Sequence, residues 1–238
     1  MLKLFLSILF TFIRSTFETP FTDAAETGDL VNLLSMLQAD PNLIAQVGSA
    51  DRTALMLASW KGHTEIVKLL IEAQSNVDQV DKFGYTALIL ASSLIQEDAV
   101  KILIGKGAEV NHANKSGDTP LIVAARWSWT NGCKILIEAR ANVNYKAPHW
   151  VEYESRTALN YAVEKNNSEL IELLVSSGAE TWSVSEHPLV KQSFEKFRRT
   201  TSFFEFSSFA KVLPDSQKSR SILVEIVDET IKNLIHKT

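Results

Sequence analysis

Side chains able to do covalent or metal chemistry are few in this chain, and they are scattered. His149 and Glu152, within NYKAPHWVEYESRT, could offer two donors to a metal ion. No further Cys or His lies nearby in the sequence, and a structural zinc site takes four ligands. Ser193 and Lys196, in SFEK, have Ser-x-x-Lys spacing, but the companion motifs that would make the pair catalytic are missing. Cys133 aligns with Val67 and Val100 on an apolar helix face and reads as a small core residue. As the single cysteine it excludes an internal disulfide scaffold without fixing a compartment. His63, His112, His187 and His236 fall in separate segments, and no glycine-rich run is placed to cradle a phosphate. The expectation is a non-enzyme with no catalytic residues, no cofactor and no metal.

Composition points the same way. The 238 residues are 45% hydrophobic and 22% charged, with a net charge of −4, which suits a soluble globular chain of one domain or two small ones. A mildly acidic balance without a clustered basic face argues against nucleic acid. No stretch reaches the roughly 18 uncharged apolar residues that a membrane span needs.

The elements that must position any site repeat along the chain. TALMLASWKGHTEIVKLLIEAQSNVDQVDKFGY starts at Thr53, TALILASSLIQEDAVKILIGKGAEVNHANKSGD at Thr86, TPLIVAARWSWTNGCKILIEARANVNYKAP at Thr119 and TALNYAVEKNNSELIELLVSSGAE at Thr157. The steps are 33, 33 and 38 residues, a constant period with one five-residue insertion. Each unit reads as two short antiparallel helices and a turn. The four threonines suit N-caps, and Pro120 suits the first helical position. Leu55, Leu57 and Ala58 supply the buried face of one helix, and Ile66, Val67, Leu69 and Leu70 that of the next. Ala58, Ala91, Ala124 and Ala162 would let neighbouring helices approach closely. One unit cannot bury its own apolar face, so the units must stack.

TALMLASWKGHTEIVKLLIE and TPLIVAA resemble the ankyrin repeat, and FTDAAETGDLVNLLSMLQADPN resembles the shortened first repeat of such arrays. The resemblance covers about residues 21–181 in about five units. It implies an all-α solenoid, concave where hairpin tips and first helices line it, that binds another protein instead of catalysing a reaction. The departures are specific. Met56, Ile89, Ile122 and Asn160 stand where the family places His, so the local hydrogen bonds of that imidazole are expected to be missing. The Gly-His turn survives only as Gly62-His63, against Ile95-Gln96, Ser128-Trp129 and Asn166-Asn167. Gly107 and Gly178 fit left-handed caps, whereas Gln74 and Arg140 occupy the matching positions at about 1 kcal/mol of cost each.

The partner-contacting columns implied by the resemblance hold Lys82, Phe83 and Tyr85 on one hairpin and Lys115, Ser116 and Asp118 on the next. At the ends of first helices they hold Trp60 and Lys61, Ser93 and Leu94, Arg126 and Trp127, and Glu164 and Lys165. The residues expected to carry partner binding are Trp60, Lys61, Phe83, Tyr85, Arg126 and Trp127, taken as solvent-facing, with packing onto a neighbouring repeat as the alternative. The insertion adds Trp150 and Tyr153 at the tip of a longer finger, or in a loop folded onto the next repeat. Trp129 replaces the turn histidine and is expected to pack. Asn111, in LIGKGAEVN, resembles the hairpin asparagine that hydroxylases modify in this family, and equally an ordinary hairpin residue.

Both ends are expected to be helical caps. In residues 1–20 the polar residues Lys3, Ser7, Thr11, Arg14 and Glu18 fall within an arc of about 80° on a helix. Such a striped helix could cover the first repeat of a cytoplasmic monomer. The same residues fit a signal peptide, though Arg14 follows the apolar run and no cleavage site precedes Ala24. They also fit a membrane-surface contact through residues 2–18, in an exported or membrane-associated protein whose repeats serve as spacer. Residues 182–238 hold half of the twelve phenylalanines, an RRTT run that resembles a basophilic kinase site, and the amphipathic stretch DSQKSRSILVEIVDETIKNLIHK. They read as a C-terminal cap or a second binding helix.

Overall fold

Each threonine that precedes an apolar run caps a helix. Thr53, Thr86, Thr119 and Thr157 are extended, and their side-chain oxygens accept the backbone N–H of Met56, Ile89, Ile122 and Asn160. The first turn cannot pair these donors internally, so the caps satisfy them. Pro120 takes the first helical position.

The computed structural model describes residues 19–147 and 156–181, together with Pro188, Leu189 and Gln192. Among them are ten α-helices in five pairs: α1 (Pro20–Thr27) and α2 (Leu30–Ala39), α3 (Ala54–Lys61) and α4 (Thr64–Glu72), α5 (Ala87–Ser93) and α6 (Glu97–Gly105), α7 (Pro120–Arg126) and α8 (Thr130–Glu138), α9 (Ala158–Glu164) and α10 (Ser168–Ser176). The first helices stack in sequence, α1 on α3, α3 on α5, α5 on α7 and α7 on α9, and each packs against the second helix of its own pair. The result is an all-α repeat solenoid. The N-terminal stretch 1–18, the finger residues Trp150 and Tyr153, and nearly all of the expected C-terminal cap lie outside the described residues.

A first helix is covered by neighbours on both sides, so it is apolar almost all round. Leu55, Met56, Leu57 and Ala58 are buried, as are Leu88, Ile89, Leu90 and Ala91. Ala58, Ala91, Ala124 and Ala162 are wholly inaccessible, and a larger side chain there would hold the stack apart. Met56, Ile89 and Ile122 are buried too, so burial stands in for the lost imidazole hydrogen bonds. At Asn160 the expected loss is corrected. Its carboxamide oxygen accepts the backbone N–H and the hydroxyl of Thr157, both at 2.8 Å, closing a capping box.

The second helices end alike. Gln74, Gly107, Arg140 and Gly178 have φ of 67, 85, 67 and 87°. The N–H of the residue after each one donates to Leu70, Leu103, Leu136 and Leu174 respectively, at 2.9–3.0 Å. Ile95, Ser128 and Asn166 are also left-handed, at the turn where Gly62 stands. Beyond these caps a second column bolts repeat to repeat. The side-chain oxygens of Asp78, Asn111 and Asn144 accept the backbone N–H of Glu109, Asn142 and Glu180 at 2.8, 2.7 and 2.7 Å.

Trp129 packs, as expected: it is 8% exposed and belongs to the core. Its indole lies over Gly132 in α8, so closely that an added Cβ would fall among the ring atoms. Gly132 inside a helix costs about 1 kcal/mol relative to Ala, and here the space it leaves is filled.

Candidate partner-binding face

The hairpin tips are organised by one side chain each. Asp81 accepts from the backbone N–H of Phe83 at 2.8 Å and of Tyr85 at 2.9 Å, and Asn114 accepts from Ser116 and Asp118, both at 2.9 Å. Such local bonds hold the chain in a turn where no ladder is available. Adjacent tips are joined by the main chain, Lys82 N–H to the Ala50 carbonyl at 2.8 Å and Lys115 N–H to the Phe83 carbonyl at 3.0 Å. Gly84 (φ 81°) permits this approach, because a Cβ there would meet the Lys115 nitrogen at 3.0 Å. Neither Asp81 nor Asn114 was singled out by sequence, although both precede the hairpin glycine by three residues.

This scaffold sorts the expected aromatics into two kinds. Phe83 is 50% exposed and Trp127, which closes α7, is 60% exposed. Trp60 and Tyr85, expected to face solvent, are instead partly buried against the core. The Trp60 ring lies 5.5 Å from the Arg52 guanidinium and 4.2 Å from the Lys61 ammonium. Arg52 also pairs with buried Asp81 at 3.2 Å, and Lys61 with Glu26 at 3.3 Å. Two cations therefore already lie against the Trp60 ring.

The other end of the face repeats the arrangement around a residue that sequence reasoning missed. Tyr161 lies 5.2 Å from the Arg126 guanidinium and 5.4 Å from that of Arg156. Arg126 pairs with Asp118, and Arg156 with Glu164 at 2.8 Å. Burial works to lower the pKa of Arg126, but the hydrogen bond and charge of Asp118, with Tyr161, leave it raised and firmly cationic. The available signal was a tyrosine in the column of Leu57, Leu90 and Val123.

The groups with chemical potential have structural surroundings. Cys133 is inaccessible, and burial pushes its thiol up to about 12, so no thiolate forms near neutrality. His63 Nε2 donates to the Glu26 carbonyl and His112 Nε2 to that of Gly84, each at 3.0 Å and each across repeats. Asn111 is engaged at both ends, accepting from Asn142 and donating to the Arg140 carbonyl at 3.3 Å. Among the described residues no three His, Cys, Asp or Glu side chains come together to hold a metal ion.

Comparison with known families agrees with this geometry. The family profile described as Ankyrin repeats (3 copies) matches residues 21–114 and 95–184. No curated protein matches the chain.

Proposed function

The chain belongs to the ankyrin-repeat family, and on that premise we propose that it binds a partner protein through the middle of its concave face. Proteins of this family generally mediate contacts between proteins and typically are not enzymes. The observation that carries the reading is the pair of exposed aromatics, Phe83 on the hairpin before α5 and Trp127 at the end of α7, with that hairpin tied by main-chain bonds to the one before α7. An aromatic with no internal role at such a position is the residue type that dominates binding hot spots. Trp60, Lys61, Tyr85 and Arg126 support this centre from its flanks, holding the hairpins and helix ends in place.

Site-specific photo-crosslinking in the native cell tests this. A photoreactive side chain at position 127 should give a discrete adduct, and one at Lys134 on the outer helix α8 should not. Phe83→Ala with Trp127→Ala should then remove partner capture while the circular dichroism spectrum stays unchanged. Adducts from position 134 alone, or capture undiminished in the folded double variant, would refute the reading.

A further inference from the structure

We propose that the partner segment seated on this face is acidic, with carboxylates flanking large apolar side chains. The inference rests on the concave face being the binding surface and adds the chemistry of what it takes. Phe83, Leu94, Ile95 and Trp127 are 50, 45, 48 and 60% exposed and run from the hairpin before α5 to the end of α7. Leu94 and Trp127 close α5 and α7, which pack on one another, so the two residues hold equivalent positions on neighbouring helices.

Lysines flank this apolar strip. Lys82 and Lys115 stand on the two tied hairpin tips, and Lys165 closes α9. All three are exposed and have no ion pair among the described residues. The acids of the same face are already engaged. Asp81 and Asp118 are 3% and 7% exposed and each accepts an arginine, Glu164 holds Arg156, and Glu26 holds Lys61. Asp23, in α1, and Asp51, on the first hairpin, are the exposed exceptions. The convex side has the opposite balance: α4, α6, α8 and α10 carry Glu65, Glu72, Glu97, Asp98, Glu138, Glu169 and Glu172 against Lys68, Lys101 and Lys134. Lys68 and Lys101 are paired within their own helices, with Glu65 and Glu97. An acidic segment is therefore drawn to the concave side and repelled by the convex one, and the apolar strip supplies the anchors.

A random 16-residue peptide library selected on the full-length chain tests the class. Selected peptides should be net negative and contain an aromatic or aliphatic anchor. Their affinity should fall about tenfold or more both in Lys82→Glu with Lys115→Glu and in Phe83→Ala with Trp127→Ala, and should weaken with salt. A Glu-to-Lys version of the best peptide should fail on the wild type and bind the Lys82→Glu, Lys115→Glu variant. Neutral or basic peptides that need Phe83 and Trp127 but tolerate the lysine reversal would overturn the acidic class and leave the concave site standing. Peptides indifferent to both double variants would overturn both. Binding to phosphatidylserine vesicles that depends on Lys82 and Lys115, without peptide binding, would replace the protein segment by a membrane.

Discussion

Gln74 and Arg140 hold backbone conformations that an L-residue occupies at a cost, and replacing each by glycine should stabilise the protein. Both have φ of 67° at the cap where Gly107 and Gly178 serve the neighbouring repeats. A left-handed L-residue costs roughly 1–2 kcal/mol. Glycine loses part of that advantage through the freedom of its unfolded chain, roughly 0.5–1 kcal/mol. The side chains of Gln74 and Arg140 are exposed, and no hydrogen bond or ion pair among the described residues is lost with them. The net gain is therefore about 0.5–1 kcal/mol per site. At roughly 2–4 °C per kcal/mol for 150–250 residues, each variant should raise Tm by about 1–4 °C. The two sites are two repeats apart and should add. Gly107→Ala is the matching control, because a Cβ there meets nothing within 4 Å and the substitution reverses the same balance of strain and chain freedom without a steric clash. It should lower stability by about 0.5–1 kcal/mol. Thermal melts followed at 222 nm, with urea titrations on the same set, compare the three variants with the wild type. A lower Tm in both glycine variants, or an unchanged one in Gly107→Ala, would mean that cap strain is not what separates these turns.

Other perturbations read other parts of the fold. Gly132→Ala forces Trp129 from its place and should cost about 1–3 kcal/mol, while the same change in a Trp129→Ala background should cost far less, a coupling that a double-mutant cycle in urea would measure. Asn144→Ala removes bonds to Glu180 N–H at 2.7 Å and to the Gly178 carbonyl at 3.0 Å, so about 1 kcal/mol should be lost and the Glu180 amide should exchange faster with deuterium. Cys133 should resist a thiol reagent at pH 8 in the native protein and react fully in denaturant, since its burial holds the thiol protonated up to about 12; prompt native labelling would place it elsewhere.

Periodic features were legible because they depend on neighbours three or four residues away. The Thr caps, the Leu and Ile stripes, the buried alanines and the left-handed turns at Gln74 and Arg140 all follow from this local register. The loss expected at Asn160 was misjudged for a reason equally local: an amide can accept where an imidazole is missing, and Met56, Ile89 and Ile122 cannot. Within the candidate face the residue columns were legible but their exposure was not. Trp60 and Trp127 both stand near the end of a first helix but in adjacent columns, Trp60 aligned with Arg126 and Trp127 with Lys61.

The cations beside Trp60 are close to it in sequence, but the acids that fix them lie tens of residues away along the chain. Arg52, beside the Trp60 ring, is anchored by Asp81 of the following repeat, and Lys61 by Glu26 of the preceding one. The 33-residue period, the helix pairs and the stack follow from residue order alone, because caps and apolar spacing act within single turns of helix. Which side chains the stack consumes is set by packing between repeats. Cross-repeat pairing engages Trp60, Tyr161, Asp81 and Asp118 internally and leaves Phe83, Trp127, Lys82 and Lys115 facing outward. That division depends on distances between residues about one repeat apart, and those distances exist only once the repeats have packed.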